Sequence, residues 1–148
     1  MKEASWTEIL EVIRSNGSEK AAGLDGVSCD LVRMYTEPSN GSPSPALEIL
    51  TALVNTSLRL GVTLPSWRKA IISMIPKRKD DGTFTSLINE MRPISVLQEF
   101  GKISAKLLSN RLGEILLVHP EILNPAQRVF LRDGCTSHVL EDFKCKGI

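Results

Sequence analysis

A chain of 148 residues with 42% apolar and 24% charged residues has enough of each to bury a core and solvate a surface, which excludes disorder throughout. Eighteen Lys and Arg face seventeen Asp and Glu, and a net charge of +1 excludes a uniformly basic coat for nucleic acid. The charge is unevenly spread: residues 68–111 hold nine cations against four carboxylates (+5), residues 1–67 five against eight (−3), and residues 112–148 four against five (−1).

Ala4, Trp6, Ile9, Leu10, Val12 and Ile13 recur with a helical period that ends near Asn16-Gly17, predicting a short amphipathic helix within residues 1–17. In Lys20-Ala-Ala-Gly-Leu-Asp-Gly-Val27, Gly23 and Gly26 flank Asp25 and permit backbone conformations closed to other residues. That stretch reads as a turn leading into a helix capped by Ser28 and running from Cys29 to Tyr35. Glu37 to Pro45, with three prolines, predicts an exposed loop. Ser44 then caps a helix opening at Pro45 and closing at Gly61, with Ala46, Ile49, Leu50, Leu53, Val54 and Leu58 as its expected core face. Leu64-Pro-Ser-Trp67 turns the chain into a hairpin, and Trp67 is expected to pack under it.

Ala70 to Ile75 is rich in β-branched residues and stops at Pro76, which predicts a strand closed by a residue unable to extend a ladder. Lys77-Arg78-Lys79 and the turn cluster Asp80-Asp81-Gly82-Thr83 lead back to a second strand, so residues 70–76 and 92–97 are expected to pair as an antiparallel hairpin with cations near its base. Ser95 with Gln98 matches a capping box, although the next helix can begin as late as Gly101. Ile103, Leu107, Leu108, Leu112, Ile115 and Leu116 then form a long stripe expected to be buried, with Lys102, Lys106 and Arg111 off it and His119-Pro120 as the stop. A short segment with Gln127 and Phe130, a last helix near Thr136 to Phe143 and a frayed tail at 144–148 complete the chain.

The chemistry this pattern suggests is phosphate binding. Arg92 offers a planar fork for two oxygens and Lys77 a point charge on a flexible stem. With Lys69, Arg78, Lys79, Lys102 and Lys106 they form the expected basic footprint for nucleic acid, although a Lys-Arg-Lys run taken alone reads first as a solvated face. Cys29, Cys135 and Cys145 cannot all pair with one another and include no Cys-x-x-Cys unit, so a reducing, intracellular compartment, nuclear or cytoplasmic, is expected. Cys135, His138 and Cys145 match no zinc spacing, and no metal site is expected. No run approaches the roughly 20 apolar residues of a membrane span. The charges of Lys2, Glu3 and Glu8 argue against a secretory leader, so neither membrane nor secretion is expected.

Lys20 to Val27, Pro65-Ser-Trp-Arg-Lys-Ala70 with Ile75-Pro-Lys77, Arg92-Pro-Ile-Ser95, Lys102 with Asn110-Arg-Leu112, and Gln127 with Phe130 together resemble, in order, successive motifs of a reverse transcriptase of the non-LTR (LINE-like) retrotransposon type. The resemblance covers about residues 18–143. It implies an α+β, mainly helical fold with a two-stranded fingers hairpin, comprising the fingers and the start of the palm. It further implies that Lys77 and Arg92 grip the triphosphate of a deoxynucleotide, that Gly23, Asp25 and Gly26 lie near the template, and that Gln127 and Phe130 line the nucleotide site. The chain departs from the family pattern at Leu24, where a proline is expected, and at Val129, where a glycine is expected.

In that family two Mg²⁺ ions are held by aspartates from motifs outside the matched set, and such chemistry needs carboxylates converging on ions about 4 Å apart. Asp80-Asp81 and Glu141-Asp142 are sequence neighbours and do not meet that need. The expectation is a truncated reverse transcriptase with no catalytic residue and no resident cofactor, Mg²⁺ belonging only to a full-length polymerase. RNA template, DNA primer and deoxynucleotide would then be weak partners, and an uncovered palm face would offer a surface for self-association. The alternative is a non-catalytic protein-interaction module derived from such a domain.

Overall fold

The computed structural model describes residues 2–124 of the chain. The helices are α1 (Trp6–Ser15), α2 (Cys29–Thr36), α3 (Pro45–Leu60) and α4 (Glu99–Val118). Between α3 and α4 stand two strands, β1 (Ala70–Pro76) and β2 (Met91–Leu97), which form one antiparallel hairpin. The fold is α+β and mainly helical. The expected segment around Gln127 and Phe130, the helix near residues 136–143 and the tail lie outside the described residues. The chain divides at Leu107 and Leu108 into two compact units.

Local chemistry fixes the helix starts. Ser5, Ser28 and Ser44 each accept a hydrogen bond from the backbone N–H three residues on, at Glu8, Leu31 and Leu47. Each satisfies one of the donors that a helix N-terminus leaves without a partner. Gly61 closes α3 at φ +66°, a left-handed position that glycine adopts without strain. The carboxamide of Asn55 on α3 pairs with both the N–H and the C=O of Ala4, tying the N-terminal segment to the middle of the chain.

One core joins the helices of the first unit. Ile9, Val12 and Ile13 of α1, Leu47 and Val54 of α3, and Ile103 and Leu107 of α4 are almost fully buried in it. Trp67 is buried in the same core at the point where the chain leaves for β1. The buried face of α3 differs from the expected one. It runs through Leu47, Leu50 and Val54, at spacings of three and four, whereas Ile49 and Leu53 are 63% and 42% exposed. α3 therefore carries two apolar faces, and periodicity alone could not say which the core would take.

The stripe on α4 is also buried less than expected. Ile103 and Leu107 are core, but Leu112 and Ile115 are 55% and 50% exposed, so burial stops after the first turns of the helix. The proposed capping box does not form, because Ser95 is a strand residue opposite Ile72. The Gln98 carbonyl instead accepts the first helical bond, from the Lys102 N–H. α4 begins one residue after β2 ends and stops before His119-Pro120 as expected.

Candidate nucleic-acid interface

The hairpin is paired over seven residues per strand, from Ala70 opposite Leu97 to Pro76 opposite Met91. Pro76 is the last residue of β1, where its missing N–H costs the ladder nothing. The loop is itself ordered: Arg78 bridges Phe84, the Lys79 N–H donates to Thr83 O, and the Asp81 carboxylate accepts from both the N–H and the hydroxyl of Thr83. Those bonds hold the Asp81 carboxyl below the usual carboxylate range. Thr85, buried in the loop, donates its hydroxyl to Glu90.

Arg92 pairs with Ile75, and Lys77 follows Pro76, the last residue of β1, with its carbonyl accepting from the Thr85 N–H of the loop. Arg92, second residue of β2, and Lys77, first residue after β1, therefore both stand at the loop end of the hairpin. A lysine and an arginine so placed can reach oxygens of one phosphate chain. Their placement corrects the expected position near the base of the hairpin. Lys69, by contrast, precedes β1, and eight strand residues at about 3.3 Å each separate it from Lys77 by roughly 26 Å. The two ends of the hairpin cannot grip one small ligand.

Among the described residues, no carboxylate forms an ion pair with Lys77, Lys79 or Arg92. Arg78 donates from Nε to the Gly82 carbonyl at 3.4 Å. Lys102 and Lys106 are placed differently. Lys102 Nζ is 3.1 Å from the buried Glu99 carboxylate, and Lys106 Nζ donates to Ser15 O and Asn16 Oδ1 at 3.1 and 3.3 Å. Lys106 ties α4 to the end of α1, while Lys102 pairs within α4. Without Lys102, Lys106 and the buried Glu99, residues 68–111 hold seven cations against three carboxylates, +4, of which residues 77–92 carry Lys77, Arg78, Lys79 and Arg92 against Asp80, Asp81 and Glu90, a net +1.

The glycine turn has a structural duty. Gly26 N–H donates to Gly23 O, Gly26 sits at φ +70°, and Asp25 Oδ1 accepts from the Val27 N–H. Gly23 packs against the chain where β2 ends: a Cβ there would stand 2.7 Å from Gln98 Cα and 3.0 Å from Leu97 O. Asp25 and Gly26 are exposed at the tip of this turn, next to the root of the hairpin. Gln127 and Phe130 lie outside the described residues.

Sequence reasoning missed the buried Glu99 and its half-buried partner Asn16 beside this root. Glu99 Oε1 accepts from Asn16 Nδ2 at 3.0 Å, and the Cys29 thiol lies under the influence of the carboxylate. Burial first, and the negative charge of Glu99 second, push the Cys29 thiol above its ordinary range. A glutamate at the first position of a helix reads as a solvated dipole partner, and nothing local says that it faces inward.

Comparison with known proteins finds relatives among RNA-directed DNA polymerases of transposons and mobile elements. It is 29% identical over 148 residues to a probable RNA-directed DNA polymerase from transposon BS of Drosophila melanogaster, a match covering 94% of this chain and 15% of that protein. It is 30% identical over 105 residues to the RNA-directed DNA polymerase from mobile element jockey of the same species, covering 71% of this chain and 10% of that one. An uncharacterized 149 kDa protein of transposon TX1 of Xenopus laevis is 27% identical over 116 residues, covering 77% of this chain and 8% of that protein. The chain thus spans between 8% and 15% of the length of these relatives. No protein-family model matches it.

Proposed function

We propose that this chain is the nucleotide- and template-gripping portion of a retrotransposon reverse transcriptase, a fingers hairpin and the onset of a palm, which by itself retains weak binding to single-stranded nucleic acid or to a nucleotide triphosphate. The observation that carries the reading is that Lys77 and Arg92 both stand at the loop end of the hairpin, neither with a carboxylate partner among the described residues. Gly23 to Gly26 supplies the template-side turn at the hairpin root, and Lys69, Arg78 and Lys79 add nonspecific attraction.

Among the described residues no three carboxylate, imidazole or thiol groups cluster so as to hold a metal ion. The 148 residues are proposed to bind without polymerising, because the neighbouring carboxylates Asp80 and Asp81 do not converge on two ions from separate elements. The setting is intracellular, nuclear or cytoplasmic, where an RNA template is found.

Two to four phosphate contacts correspond to a Kd on the order of 10⁻⁴ to 10⁻⁶ M with a salt slope of about −0.7 per contact on single strands. Fluorescence anisotropy of labelled single-stranded RNA should show Arg92→Ala weakening binding several-fold. Arg14→Ala should leave it unchanged, because that guanidinium is already held by Glu37. Equal losses in both variants would remove Arg92 from the site.

A second reading draws on the apolar surface. A groove of about 320 Å³ between α2 and α3 is lined by Leu31, Tyr35, Ile49, Leu53 and Phe100, and Ile72 and Ile94 on the hairpin are 66% and 45% exposed. A protein-interaction or self-association role would use that surface. Size-exclusion chromatography on the RNA-binding sample separates the two readings. A monomer that binds RNA supports the first, and an oligomer indifferent to RNA supports the second.

A further inference from the structure

The hairpin is exposed along most of both faces, so its direction must be set where it is rooted. Two close approaches hold that root. On the side of β1, Trp67 is buried and α4 approaches it at Gly101, where a Cβ would stand 3.2 Å from Trp67 Cβ. On the side of β2, Gly23 lies against Leu97 and Gln98 with no room for a side chain.

Directly after these residues comes Glu99, only 2% exposed, with one partner at the end of α1 and one on its own helix. Asn16, the residue that ends α1, donates to its Oε1. Lys102 of α4 donates to its Oε2. The Asn16 carboxamide is held from its other side as well, because its Oδ1 accepts from Lys106. Lys106 also takes the Ser15 carbonyl at the end of α1. The chain Lys102, Glu99, Asn16, Lys106 therefore alternates donor and acceptor without a gap, and no buried side-chain polar atom among the described residues lacks a partner.

Buried ionic groups are a poor source of net stability, because desolvating them cancels much of their attraction. A fully satisfied network instead favours one arrangement over its neighbours, since any shift leaves a buried group unpaired. Here the arrangement being chosen is the start of α4, one residue from the end of the strand that carries Arg92.

We propose that Glu99 is a positioning residue for the hairpin: through Asn16, Lys102 and Lys106 it locks the first turn of α4 onto the end of α1, and so fixes the direction in which β2 presents Arg92 and Lys77. The consequence for ligand binding rests on the proposed anion-gripping role of that pair. The positional statement does not.

The test is a spin-label distance measurement on the full chain. Labels at Asp80→Cys in the hairpin loop and Glu48→Cys on α3 are placed in a Cys135→Ser, Cys145→Ser background, with the buried Cys29 left in place. The parent should give a narrow distance distribution. Glu99→Leu, which fills the site without accepting any bond, should lose that narrow peak while the far-ultraviolet helical signal stays. Glu99→Gln still accepts from Asn16 and should keep most of it. Leu47→Ala serves as the control for lost stability, since it weakens the core without touching the network. A Glu99→Leu chain that melts earlier yet keeps the parent distribution overturns the proposal, because the carboxylate would then be only structural.

Should Glu99→Leu fail to fold, Asn16→Ala cuts the link between α1 and α4 and leaves the Glu99–Lys102 pair intact. The same broadening is then expected, and an unchanged distribution again overturns the proposal. Measuring RNA binding on the same variants keeps the two readings apart. A broadened distribution with unchanged RNA affinity supports the positioning role and counts against the anion site.

Discussion

The helical base and the hairpin that rises from it are built on opposite terms. In the base, apolar side chains are buried, helix ends are capped, and ionic groups such as Glu99 and Lys106 meet partners on other elements. In the hairpin, Ile72, Met74, Ile75 and Ile94 face solvent, and Lys77 and Arg92 have no carboxylate partner among the described residues. The difference separates stability from recognition. Burial is concentrated in the base, while the hairpin presents exposed apolar and cationic groups.

The sharpest way to break that division is to remove equal bulk from each region. Leu47→Ala in the base, where the side chain is fully buried, should cost about 3 kcal/mol in a urea titration, from lost burial and the cavity left behind. Ile72→Ala, on a side chain 66% exposed, should cost less than about 0.5 kcal/mol. Comparable losses would mean that the hairpin is part of the core after all.

At the joint between the regions, Gly23→Ala should cost about 1–3 kcal/mol, because its methyl group would meet the Gln98 backbone at 2.7 Å. Gly26→Ala tests something else. Its Cβ would meet nothing within 4 Å, so any loss there comes from the positive φ alone. Finding the larger loss at Gly26 would place the demand for glycine in the turn and not in the contact with β2.

Caps give a smaller effect. Ser44→Ala should cost about 1 kcal/mol, since Ser44 accepts from the Leu47 N–H and also donates to the Tyr35 carbonyl.

Stability should also depend on pH at the alkaline end. The folded chain holds the Cys29 thiol above its reference value of 9.0, so it binds a proton that the unfolded chain has released. The thiol's contribution is fully present below the unfolded value and is lost as pH rises from there through the folded value. Denaturant midpoints measured from pH 7 to 10.5 should fall at the top of that range, and Cys29→Ala should flatten the fall. An identical alkaline fall in both proteins would assign it to other groups.

What the sequence made legible was local. Ser28, Ser44, Pro45 and Gly61 each act through their own or adjacent backbone, and all four stand where their chemistry predicts. The strands were readable for the same reason, because β-branched runs bounded by Pro76 and the Asp80 to Thr83 turn leave few other pairings. What was not legible depends on distant partners. Lys102 and Lys106 look solvent-facing by periodicity, but long aliphatic stems let their charges reach a carboxylate and the end of α1. Glu99 and Asn16 are 83 residues apart, and nothing near either residue announces the other. The second apolar face of α3 was misjudged because an apolar face records a need for burial and not which neighbour supplies it.

The central claim is that Lys77 and Arg92 form one anion-gripping site, and it is tested most directly by the salt dependence of single-stranded RNA binding in the parent chain and in Lys77→Ala/Arg92→Ala. Removing two phosphate contacts should reduce the magnitude of the log Kd against log salt slope by about 1.4, and it should weaken binding at every salt concentration within the measured range. A double variant with the parent's slope and affinity would contradict the account, placing the RNA contacts elsewhere on the chain.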